Sequence, residues 1–201
     1  MTANKTSLVI PAKGTVFHAP VNTLPPTAPL GTDGFKLGSA DGPTPWKNLG
    51  HTSEANTIAF TKEGGERESL NTFLEDGVRT STSATTWGFT VNALQFDSDT
   101  LDLAFNGEFN EDTGGYKVTS SIPSEIAVFL YFKDSSGALG FWLPNVEITL
   151  GDAPSVDIAN FFELPLSGTM LGAPEEIIPA VDGRPVLFEI FKTGLSAPVT
   201  P

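Results

Sequence analysis

Two aspartates, Asp97 and Asp99, stand on either side of Ser98 and ahead of Thr100. That spacing suits phosphoryl transfer, the first carboxylate attacking phosphorus while the second moves a proton. Gly151-Asp152, with Asp157 beyond it, would add acids for a divalent cation. Asp97, Ser98 and Asp99 are also the short polar residues that cap a helix, because their oxygens accept from first-turn N–H groups that lack a partner. Leu101, Ala104 and Phe105 follow at helical spacing, so a short helix near 98–106 explains the aspartates without chemistry, with Gly107 as its expected left-handed stop. His18 and His51, the only histidines, form no pair at metal-ligand spacing. The acidic turn at 110–115 lacks the length and terminal glutamate of an EF-type loop. GxSxG, P-loop and GxGxxG motifs are absent. The expectation is no catalytic residue, no metal and no cofactor.

The aspartate pair resembles the DxDxT of haloacid-dehalogenase-type phosphatases. There the motif follows the first strand of a parallel sheet covered by helices on both faces. Here the positioning elements are strands, and about a hundred residues of them come first. Trp87, Phe89, Val91 and Ala93 alternate into the helix. Before them, 35–39 and 56–62 read as short strands; after them come 116–120, 125–133, 138–143, 146–150, 162–170 and 186–191. Residues 125–133 are apolar on both faces, as expected of a central strand covered on both sides. Pro144 marks an edge or a break. The fold class that follows is mainly β: a β-sandwich or barrel of two packed antiparallel sheets, one short flanking helix and an extended N-terminal arm.

The chain of 201 residues has 39% apolar content and no cysteine, enough for one core without disulfides or thiolate metal sites. Residues 1–32 carry Pro11, Pro20, Pro25, Pro26 and Pro29 and read as a flexible arm; 33–193 form the sandwich, and 194–201 a short tail. No signal peptide and no apolar span of membrane length is visible, so a soluble protein made in a cytoplasm, with no membrane partner, is expected. The net charge is −13, yet residues 1–30 hold Lys5 and Lys13 and no acid. Such a surface has no basic footprint for binding phosphates. Glu63-Gly64-Gly65-Glu66-Arg67-Glu68 reads as a projecting polar hairpin. The densest run of acids without bases is Asp97, Asp99, Asp102, Glu108, Glu111 and Asp112.

One order of motifs is informative. It runs Trp46-Lys47-Asn48-Leu49-Gly50-His51-Thr52-Ser53, the alternation through Ile58 and Phe60, the acidic hairpin, Leu70-Asn71-Thr72-Phe73 and Gly77-Val78-Arg79-Thr80. Thr86-Trp87-Gly88-Phe89-Thr90-Val91 and Thr100-Leu101-Asp102-Leu103-Ala104-Phe105-Asn106-Gly107 complete it. This order resembles the major tail tube protein of long-tailed, siphovirus-type bacteriophages infecting actinobacteria, over residues 45–107. The resemblance implies a structural virion protein, not an enzyme. It implies hexameric rings stacked into a hollow tube, through which double-stranded DNA passes without specific binding. It also implies tape measure, tail-tip and tail terminator proteins as partners, the virion tail as location, and assembly in the host cytoplasm. Under that reading Lys5, Lys13, Glu63, Glu66, Arg67 and Glu68 are the candidates for contacts between subunits. The alternative reading is another sandwich module, for decoration or carbohydrate binding, which would display tryptophans on an open face.

Overall fold

The computed structural model describes residues 8–120 and 122–195. In chain order the elements are β1 (Lys13–Pro20), β2 (Lys47–Asn48), β3 (Ala59–Gly64), β4 (Arg67–Leu70), β5 (Arg79–Thr82), β6 (Thr85–Ala93), α1 (Ser98–Phe105), β7 (Glu108–Asn110), β8 (Gly115–Lys117), β9 (Ser124–Lys133), β10 (Ala138–Leu150), β11 (Leu164–Met170) and β12 (Glu189–Lys192). One large sheet runs β2-β1-β9-β10-β11-β6-β3, with β12 also on β10; β4–β5 and β7–β8 are small hairpins of their own. All these pairings are antiparallel, and no closed barrel forms among the described residues.

β9 sorts its two apolar sets as its alternation predicts. Ile126, Val128 and Leu130 enter one core with Phe89, Val91, Leu143, Val146, Leu164 and Leu166. Ala127, Phe129 and Tyr131 enter a second with Phe17, Phe35, Trp46 and Trp142. The first core lies inside a curl of the sheet. Phe60 on β3 sits 4.9 Å, ring to ring, from Phe141 on β10, although β11 and β6 separate those strands along the hydrogen-bonded path. The two layers are thus two halves of one sheet, folded on itself.

β10 makes the corner. β12 pairs with its first half, at Leu139 to Trp142, and β11 with its second, at Val146 to Leu150. Between them the register against β9 shifts from Leu143 to Val146, an extra residue that keeps both side chains on the inner core. Residues 138–143 and 146–150, expected as separate strands, are therefore one bulged strand. Pro144 sits in the bulge, where the ladder asks no N–H of it.

Three other expectations need correction. Residues 13–20, assigned to the flexible arm, form β1, paired residue for residue from Lys13↔Lys133 to Pro20↔Ile126. Pro11 and Pro20 only bracket that strand, so the proline density of 1–32 hides it. Residues 35–39 are not a strand. They belong to irregular chain that lays Phe35 on the outer core, stacked 4.0 Å from Phe129. The left-handed residue ending α1 is Asn106 (φ 48), whose N–H reaches the Asp102 carbonyl. Gly107 instead donates its N–H to the Tyr116 hydroxyl at 2.8 Å.

α1 closes the curl where it opens beside β10 and β11, burying Thr100, Leu103 and Ala104. No helix among the described residues is long and apolar enough to cross a membrane.

Candidate assembly surfaces

Asp97 caps α1, accepting from the Thr100 N–H at 2.9 Å, and these bonds hold its carboxyl below the usual range against the opposing effect of burial. Ser98 is the first helical residue, and Asp99 pairs with Lys47 at 2.8 Å. Asp157 spends its carboxylate on the Ala159 N–H and the Asn160 amide of its own loop. The aspartates of the apparent phosphatase motif are thus committed to local structure, in a sheet of the wrong sense for that family. Residues 110–115 are a tight turn in which Asn110 accepts from the Asp112 N–H. Among the described residues no three His, Asp or Glu side chains converge on a common point.

The acidic run is less bare in space than in sequence. Asp99 has Lys47, Glu108 has Lys117 at 3.2 Å, and Asp102 accepts from the Tyr116 hydroxyl. The tryptophans offer no open platform either. Trp46 and Trp142 are each 2% exposed, and their indole N–H groups donate to the carbonyls of Leu24 and Thr23. Trp87 is half-buried and packs on Phe188.

One uncovered feature is a long hairpin. Gly64 and Gly65, read from sequence as a two-residue turn, do not reverse the chain. Both have positive φ (72° and 75°), but Gly64 still pairs with Thr85, and the Gly65 N–H donates to the Ala84 carbonyl. They bend the ribbon, and it continues as β4–β5 to a tip at 71–78. A side chain at Gly64 would place its Cβ 2.0 Å from the Ala84 oxygen, so the bend excludes any other residue there. The tip is built by polar groups. Asn71 accepts from the Gly77 N–H at 2.7 Å, and Thr72 accepts from the N–H groups of Leu74 and Glu75. This leaves Phe73 and Leu74 pointing outward at 111% and 99% exposure, with no apolar cover. Glu63, Glu66, Arg67 and Glu68 lie along the exposed strands behind the tip. Lys13 is exposed at the start of β1, opposite Lys133, and Lys5 lies outside the described residues.

A second surface lies at the other end of β6. Residues 151–163 connect β10 to β11 without regular structure and expose Val156, Ile158 (103%) and Phe161 (80%). Between this loop and residues 52–56 runs a cleft of about 850 Å³, lined also by Asn92 and Leu94. Glu163 fixes its floor. One carboxylate oxygen accepts from Ser53 Oγ at 2.6 Å, the other from the Asn56 and Asn92 amides, each at 2.7 Å. These bonds hold its carboxyl below the ordinary glutamate value. Nothing in the local sequence signals this knot, since its members lie up to 110 positions apart.

A family model described as phage tail tube protein matches residues 1–179. The major tail protein Gp23 of Mycobacterium phage L5 is 28% identical over 180 residues, covering 88% of this chain and 91% of that one. Gp23 of Mycobacterium phage D29 is 28% identical over the same shares of the two chains. With most of its length matched, this chain belongs to the phage tail tube protein family and is a structural subunit of a phage tail.

Proposed function

We propose that this subunit forms hexameric rings that stack into the hollow tail tube of a siphovirus-type phage, and that the genome leaves through the bore. The observation that carries this reading is the hairpin: some twenty residues of ordered, uncovered ribbon, ending in two fully exposed apolar side chains. An isolated two-stranded ribbon is marginal in water, so it needs a surface to complete it. β3 adds a sheet edge that, among the described residues, is bonded only to β6, and along it a neighbour's backbone could pair. In this reading rings form through sheet edges and stack through the hairpins, with Glu63, Glu66, Arg67 and Glu68 at the contact. Lys13, exposed at the start of β1, lies against the acidic body of an adjacent subunit.

The net charge of −13 suits a conduit. Basic walls would bind DNA by releasing counterions, and each such contact would have to break during ejection. Only charges within about 8 Å of the DNA act at physiological salt, so the wall and not the total decides. The role is mechanical, without catalysis or cofactor. Tape measure, tail-tip and terminator proteins are its partners, and assembly in the host cytoplasm precedes incorporation into the virion.

Electron microscopy of the concentrated purified protein tests the reading. Hollow tubes or stacked six-fold rings are expected. Particles that stay monomeric beside a purified tail-tip complex would overturn it.

A further inference from the structure

Asn106-Gly107 is the one Asn-Gly step in the sequence, and the fold demands each member for its own reason. Asn106 ends α1 in the left-handed region (φ 48, ψ 51), which a short polar side chain tolerates, and its N–H closes on the Asp102 carbonyl at 2.8 Å. Gly107 is pressed against β8, where a Cβ would lie 2.2 Å from the Lys117 carbonyl oxygen. The same pair is chemically fragile, because a glycine leaves its own backbone nitrogen unshielded beside the Asn carboxamide. In the reaction the Gly107 nitrogen gives up its proton and bonds to Asn106 Cγ. The Cγ–Nδ2 bond breaks, and the amide leaves as ammonia with that proton. Water then opens the succinimide ring at either carbonyl, giving aspartate or an isoaspartate whose main chain runs through the side chain. Either product adds one negative charge.

Asn106 is exposed to water, so burial does not protect it. Geometry does, in two ways. The Gly107 N–H donates to the Tyr116 hydroxyl at 2.8 Å, and that hydroxyl donates to the Asp102 carboxylate. The phenol hydrogen is thereby fixed on Asp102, and a lone pair stays turned to Gly107. Ring closure also needs Cβ of Asn106 and the Gly107 nitrogen on the same side of the Cα–C bond. At ψ 51 the nitrogen stands nearly opposite Cβ, and the carboxamide reaches toward the Ile122 carbonyl at 3.4 Å instead. We propose that Asn106 is a deamidation site held in check by Tyr116 and Asp102, and modified only when the β7–β8 hairpin lifts from the C-terminus of α1 and frees the Gly107 N–H. Such openings belong to the local fluctuations of a small, exposed hairpin. An isoaspartate lengthens the main chain where Gly107 has no spare room against Lys117, so a modified hairpin does not reseat. Each reactive opening is thus recorded permanently in the subunit.

Peptide mapping by mass spectrometry, during incubation in mildly alkaline buffer, tests this. The Tyr116 phenol stays neutral there, since burial first and Asp102 second raise its pKa above the ordinary tyrosine value. The Asp-Gly steps at Asp33, Asp41, Asp76 and Asp182 can form the same ring, but they lose water and regain it, leaving mass and charge unchanged. The signal at 106 is therefore distinct. Deamidation of Asn106 is expected to be about tenfold or more slower in the folded chain than in the same chain unfolded in urea. Tyr116→Phe, which keeps the ring and removes the acceptor, should speed it in the folded chain by about two- to tenfold, the worth of one ordinary hydrogen bond. Its rate in urea should match that of the unsubstituted chain. Equal rates in the folded and unfolded chain would overturn the proposal, as would a folded Tyr116→Phe protein that deamidates no faster than the unsubstituted one. If Tyr116→Phe loses its fold by circular dichroism, Asp102→Ala, which lets the phenol hydrogen turn toward Gly107, takes its place with the same two outcomes.

Discussion

Glu163 holds together three stretches far apart in sequence, and it does so as an anion. Glu163→Gln would point an amide N–H₂ at groups that already donate, so a loss of about 1–3 kcal/mol is expected. Urea denaturation of the subunit checks it. Asp97→Ala should cost about 1 kcal/mol, the usual value of an N-cap, in the same experiment. His18 adds a dependence on pH. Burial lowers its pKa from 6.5, with Lys47 pushing the same way and Asp99, Asp97 and Asp41 pulling back. The unfolded chain thus takes up a proton near pH 6.5 that the folded chain does not. The stability from neutral His18 is complete above that pH and is lost as the pH falls toward the folded value. Glu163 and Asp97, with lowered carboxyl values, add a second loss below about pH 4.5. Thermal melts from pH 7.5 to 5.5 should fall for the native protein and fall less for His18→Gln.

At the scale of elements, what sequence could show was set by periodicity. The two apolar sets of β9 and the alternation of β6 were legible because each side chain's face follows from its position in the strand. α1 was legible because Asp97 and the helical spacing after it act locally. β1 was lost among prolines that in fact bracket it. The hairpin was read too short because a Gly-Gly pair at positive φ serves a bend as well as a reversal, and only the long-range pairing of Gly64 with Thr85, Gly65 with Ala84 and Glu66 with Ser83 distinguishes them. The Glu163 knot and the cleft arise from long-range closure, which leaves no local pattern. Two outcomes belong to this scale. Gly64→Ala should strain the bend and lower assembly while the body keeps its cores, seen as reduced pelleting of tubes with near-native circular dichroism. Phe73→Asp with Leu74→Asp should abolish assembly and move subunit stability by no more than about 0.5 kcal/mol, because neither side chain packs on the body.

For the molecule as a whole, the two cores account for the body, and among the described residues the hairpin, the 151–163 loop and the β3 edge remain without a partner inside it. The central claim is that copies of the same chain supply those partners. Hydrogen exchange on the free subunit and on assembled particles measures this directly. The account predicts that amides of residues 71–78 and 153–161 slow by about tenfold or more on assembly, while those of β9, already central, hold their rates. Assembled particles in which both stretches exchange as fast as in the free subunit would contradict it.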